Sequence, residues 1–234
     1  MGVDTGSIES LTADLKARDR ERYLAVLWAP KGARAALVAI HSLDLELKRI
    51  VVEAREPMLA EIRIAWWMEQ LAAMANGATV QPQPLLQALA ETAAARGFDL
   101  ATLAKAGEGF RALLQERLPD ALSLAYWRGE PLFQTLAAAT LGRPLAEDEA
   151  ESAAAAGTRF VLADLWRGGW GVAERLLETL APPALPERHA HRPPAPLRAL
   201  DALAADDWKR MIAKKPRRRP ASAMRQWIIA RAAL

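Results

Sequence analysis

The sequence contains no cysteine. That excludes disulfides, thiolate metal sites and a cysteine nucleophile, and leaves the redox compartment open. Histidine is nearly as scarce, with His41, His189 and His191 the whole supply. A histidine-rich zinc or di-iron centre is therefore not expected. His189 and His191 alternate within ERHAHRPPAP, where they read as residues of a proline-rich loop rather than as ligands. No apolar run approaches the ~20 residues that a membrane-spanning helix needs. The opening MGVDTGSIESLTADLKARDR carries acidic residues and no apolar core, unlike a secretory signal. The expected location is the cytoplasm, with a peripheral position at the inner membrane as a variant of it. The net charge of +3 is too mild to call for nucleic acid, and no nucleic-acid motif occurs, so nucleic acid is not an expected partner.

What is abundant points one way. Apolar residues make up 52% of 234 positions, enough for a sizeable core. Alanine dominates over valine and isoleucine, which favours helix over strand. The chain reads as one all-α domain over 1–234, with no internal repeat and no alternating strand pattern. The helix spacing predicts elements at 7–17, 18–28 and 33–54, and another from Pro57 to Asn76-Gly77. Further helices are expected at 85–95, as a single run over 100–118, and from Pro119-Asp120 to Trp127. Gly129-Glu130-Pro131 is expected to turn or kink the chain before a helix at 132–141. A long helix follows from Glu147 to Gly168, small on one side at Ala153 to Gly157, which permits close packing. A short helix at 172–180 and a proline-rich loop at 182–196 precede basic helices at 197–213 and 221–233.

Two stretches could carry chemistry. HSLDLELKRIVVE at 41–53 interrupts the apolar face of Ala36, Leu37, Ile40, Leu43, Leu47, Ile50 and Val51 with charges. GTRFVLADLWRGGWG at 157–171 does the same around Asp164 and Arg167. Two facing helices with carboxylates are how an all-α cavity can hold a magnesium-bound diphosphate, because magnesium takes oxygen ligands. The plainer reading is ion pairing, of Arg49 with Glu46 and Glu53 along one helix, and of Lys48, Arg49, Arg159 and Arg167 with Glu46, Glu53 and Asp164.

The chain resembles the squalene/phytoene synthase family of head-to-head prenyl synthases. The likeness runs from about Asp19 onward, through Tyr23-Leu24 to Pro30 and Arg34 to Ile40, then HSLDLELKRIVVE, and again at Phe160 to Arg167. It implies an isoprenoid-synthase-like helical bundle around a central cavity. Tyr23, Asp44, Glu46, Lys48, Arg49, Arg159, Asp164 and Arg167 are then the candidates for contact with a ligand or diphosphate. The family pattern departs at the decisive places. Lys48 and Arg49 stand where the first aspartate pair of a D-D-x-x-D motif is expected, and Val52 stands at the third position. After Arg167 the second motif falls on Gly168-Gly169-Trp170-Gly171-Val172, which has no carboxylate. The stretch LDLELKRI and VVEAREPMLAEIRIAWWMEQL is similar to a divergent branch that includes mitochondrial assembly factors of respiratory complex I, thought to keep the fold without the chemistry.

The resemblance therefore implies a non-catalytic relative, a complex I assembly helper or a binder of an isoprenoid or other lipid. No cofactor and no metal ligand is expected. The alternative is an active prenyltransferase joining two allylic diphosphates, and only that alternative calls for Mg2+. Lys48, Arg49, Arg159 and Arg167 could meet a diphosphate directly, since guanidinium suits bidentate phosphate contact. Separately, Lys209, Arg210, Lys214, Lys215, Arg217, Arg218 and Arg219 form a basic cluster near Trp208 and Trp227. It is a candidate surface for a protein partner or an anionic membrane.

Overall fold

The computed structural model describes residues 5–167, 192–216 and 218–234. The expected helix at 172–180, most of the 182–196 loop, His189, His191 and Arg217 lie outside the described residues.

Among those residues every regular element is helical. The order is α1 (Thr5–Arg18), α2 (Arg20–Val26), a 3-10 turn (Lys31–Ala33), α3 (Arg34–Val52) and α4 (Pro57–Ala75). There follow α5 (Pro84–Arg96), α6 (Leu100–Ala104), α7 (Ala106–Ala112), α8 (Ala121–Leu141), α9 (Glu147–Trp166), α10 (Ala195–Ile212) and α11 (Ala223–Ala233).

The boundaries follow from local chemistry. Asp19, Gln83, Asp99 and Asp120 accept backbone N–H bonds at the starts of α2, α5, α6 and α8. Proline opens α4 and α5, where its missing N–H costs nothing. Gly97 and Gly142 close α5 and α8 in the left-handed conformation at φ 68° and 73°.

Helix α3 is the hub. Its residues from Ala36 through Leu45 are buried without interruption, which marks a helix surrounded on all sides. It packs against α1, α4, α5, α7 and α8. Helices α8 and α9 form the most extensive pair, and they meet backbone to backbone at Gly129 and Gly157. A methyl group on either glycine would collide with the other's main chain. Gly157, the last residue of the small stripe expected at 153–157, is where the close approach occurs.

Two expectations about the helices need correction. The run at 100–118 is not one helix: it divides at Lys105 and helix ends at Ala112. Gly107 and Gly109 lower helical propensity there, and their missing side chains admit Met68 and Arg128 against the backbone. Conversely, Gly129-Glu130-Pro131 makes no turn, since α8 runs through it with Pro131 inside. Proline removes one helical hydrogen bond. The packing of α8 along α9 holds the helix together regardless, a case of tertiary contact overriding local preference.

Candidate functional site

At the centre of the bundle, polar groups interrupt the apolar packing. Asp44, on the innermost stretch of α3, is 2% exposed, and Arg128, on α8, is 1% exposed. Arg128 grips Asp44 with a two-pronged fork, Nε to Oδ1 at 2.8 Å and Nη2 to Oδ2 at 2.7 Å. Its remaining nitrogen, Nη1, donates to Asp164 Oδ2 of α9 at 2.8 Å. Arg22 of α2 reaches the same Asp44 with Nη1 to Oδ2 at 2.6 Å, and Lys48 closes the chain with Nζ to Asp164 Oδ1 at 2.9 Å. Three cations from three helices thus hold two carboxylates from two. Aromatic rings complete the surroundings, with Phe110 4.5 Å from the Arg128 guanidinium and Phe160 5.0 Å from that of Arg22.

The electrostatics follow from this geometry. Burial alone would raise the Asp44 carboxyl, but Arg128 and Arg22 hold it well below the usual carboxylate range. Asp164 is likewise held low against burial, by Lys48, Arg128, Arg22 and Arg167. His41, one turn before Asp44 on α3, moves the other way in charge. Burial and the nearby Arg22 lower its pKa to about 3, so it is neutral.

A second ionic cluster lies beside the first. Arg225 of α11 donates to Glu21 of α2 through Nε and, at 2.8 Å, through Nη2. It also donates to Asp207 of α10 at 2.6 Å, and Arg167 donates to that same carboxylate at 2.8 Å. Glu21, Asp207 and Arg225 are all buried. Arg159 joins α9 to α10 through Asp201 at 2.6 Å.

The sequence candidates therefore separate into groups. Asp44, Lys48 and Asp164 come together in the central network, and Arg167 belongs to the second cluster. Arg159 is committed to Asp201. Glu46 and Arg49 sit at the helix surface, with Arg49 bonded to Glu46 at 2.6 Å and to Glu53 at 3.0 Å. Tyr23 is half-buried, packs on the core and lies 5.6 Å beneath Lys16. Trp67 faces the core while its neighbour Trp66 is 39% exposed, the two rings meeting edge to face. In the basic cluster, Lys209, Lys214, Lys215 and Arg219 are exposed, Arg210 donates to the Pro216 carbonyl oxygen and Arg218 pairs with Asp206.

Sequence reasoning missed Arg22 and Arg128, which organise the centre, and Glu21, Asp201, Asp207 and Arg225. One signal was available. A lone arginine inside the apolar run ALSLAYWRGEPLF has to find a buried carboxylate, and Asp44 and Asp164 need cations for the same reason.

A family model for squalene/phytoene synthase matches residues 15–168. The chain belongs to that family. The crystal structure of a dehydrosqualene synthase in complex with ligand is similar to it with a TM-score of 0.70, over 97% of this chain and 95% of that one, at 14% identity. That likeness establishes the fold, the isoprenoid-synthase-like all-α bundle expected from the sequence. No curated protein matches the sequence.

The residues present do not suit the magnesium that the family's aspartate motifs imply. Both oxygens of Asp44 and both of Asp164 already accept bonds from arginine or lysine. Among the described residues no group of three acidic or histidine side chains could hold a metal ion. A divalent cation at Asp44 would have to expel a buried guanidinium and then sit beside it. At the edge of the network a cavity of about 340 Å³ opens, with Arg18, Arg20, Lys48 and Arg167 among its walls, opposed by Asp19, Glu21 and Asp164. A larger groove of about 710 Å³ runs between α8 and α9, with Ala150, Ala154 and Ala155 on its wall beside Tyr126 and Trp127.

Proposed function

We propose that this member of the squalene/phytoene synthase family carries out no magnesium-dependent prenyl transfer and serves as a binding protein for an isoprenoid or another lipid. The observation that carries this reading is the saturation of Asp44 and Asp164 by Arg22, Arg128 and Lys48. A carboxylate that neutralises buried arginine cannot also anchor a metal–diphosphate cluster. The cavity beside Lys48 and Arg167 supports a direct, metal-free contact with an anionic head group. Arg49 and Arg159 do not line that cavity, and they are bonded to Glu46 and Asp201. The resemblance of residues 43–71 to the assembly-factor branch supports a helper role in respiratory complex I biogenesis as the biological setting.

The decisive experiment incubates the protein with farnesyl or geranylgeranyl diphosphate and Mg2+ and follows pyrophosphate release and hydrocarbon product. No turnover is expected, while thermal stabilisation by the diphosphate should persist in EDTA. Turnover comparable with a squalene or phytoene synthase overturns the reading, and strictly magnesium-dependent stabilisation weakens it. Complex I content after deletion of the gene tests the assembly role.

A further inference from the structure

Helix α11 has two faces of unlike use. Arg225, Ile229 and Ala233, four residues apart, are buried against the bundle. The opposite stripe, Met224, Trp227, Arg231 and Leu234, follows steps of three and four and faces outward. It is not a polar stripe. Trp227 is 55% exposed, Met224 is also exposed, and the Arg231 guanidinium lies 5.2 Å over the Trp227 ring. The segment leading into α11 is KKPRRRP at 214–220, with Ile212, exposed at the end of α10, just before it. Lys209, Lys214, Lys215 and Arg219 are exposed and enter no ion pair among the described residues.

Like charges so crowded repel one another unless an anionic partner relieves them. The same hairpin also exposes a tryptophan, a methionine and an isoleucine. A phosphate backbone would use the cations and leave the apolar groups in water. A bilayer surface uses both, because cations meet anionic head groups while tryptophan and aliphatic side chains settle at the acyl boundary. Among the described residues no helix is long and apolar enough to cross a membrane, so the contact would lie in the interface plane.

We infer that the α10–α11 hairpin is a docking surface for an anionic lipid bilayer, placing this protein peripherally on the membrane. The inference is independent of whether the bundle binds isoprenoids or catalyses anything. It is tested by co-sedimentation of the full chain with vesicles of phosphatidylcholine alone and of phosphatidylcholine mixed with phosphatidylglycerol. Binding is expected to the mixed vesicles only and to weaken as salt rises, since the screening length falls from about 10 Å to about 3 Å between 0.1 and 1 M. Replacing Lys214 and Lys215 with alanine should lower partitioning about 25-fold, at about fivefold per cation. Trp227→Ala should lower it about tenfold. Both changes are on exposed residues, and unchanged thermal unfolding verifies that the fold survives. Equal binding to both vesicle types, binding to neither, or binding untouched by both sets of substitutions overturns the inference. So does a protein that ignores vesicles but retards duplex DNA in a gel.

Discussion

Helix α3 contributes to two sets of ion pairs that are alike in bond length and unlike in consequence. Asp44 and Arg128 meet where both are almost wholly shielded from water, and each is bonded to a further charge. Glu46, Arg49 and Glu53 form equally short bonds on the outer face of the same helix, where Arg49 is 38% exposed. Water already solvates the second set well, so forming the pairs changes little. The first set has lost its water, and each member depends on its partners to offset that loss. Bond length therefore says little about which arginine matters, and depth decides.

Four measurements break or sharpen this comparison. Arg128→Met should be the most damaging, because it strands Asp44 and Asp164 without their shared cation. A loss of about 3–5 kcal/mol in the free energy of urea unfolding is expected. Next comes His41, which lies beside the inner network without carrying charge. Its folded pKa of about 3 lies below the unfolded 6.5, so the unfolded chain binds the extra proton between those values. Stability from this group is complete above pH 6.5 and falls as pH drops toward 3, by about 2 kcal/mol at pH 5. His41→Gln should flatten that part of the stability–pH curve, and an unchanged slope would refute the assignment. Lys48→Met removes one half-shielded bond to Asp164, which keeps Arg128. About 1 kcal/mol should be lost in the same urea assay. Arg49→Ala on the outer face should alter stability by less than about 0.5 kcal/mol. If Arg49→Ala proved as costly as Arg128→Met, depth would not be the deciding variable.

The same contrast explains what could be read from the sequence. Helix α3, its apolar face, the stop at Asn76-Gly77 and the cap at Gly97 are local matters, and spacing and turn chemistry reveal them. The pairing of Lys48 with Asp164 was one of the plain alternatives the sequence offered. Arg22 and Arg128 escaped notice because their partner Asp44 is 22 and 84 positions away. Periodicity describes one helix at a time and does not say which helices face each other. Pro131 misled for a related reason, since its effect on α8 is decided by α9 and not by its neighbours in sequence.

The bond between Arg225 and Glu21 spans 204 positions. A chain emerging from the ribosome would have α2 available long before α11 exists. Until Arg225 arrives, Glu21 and Asp207 have no shared guanidinium, and the entropic cost of closing so long a loop must be met before that contact forms. The order of synthesis thus leaves completion of the ionic interior to the last part of the chain, and a chain that ended before Arg225 would leave Glu21 without its buried cation while Asp207 kept Arg167.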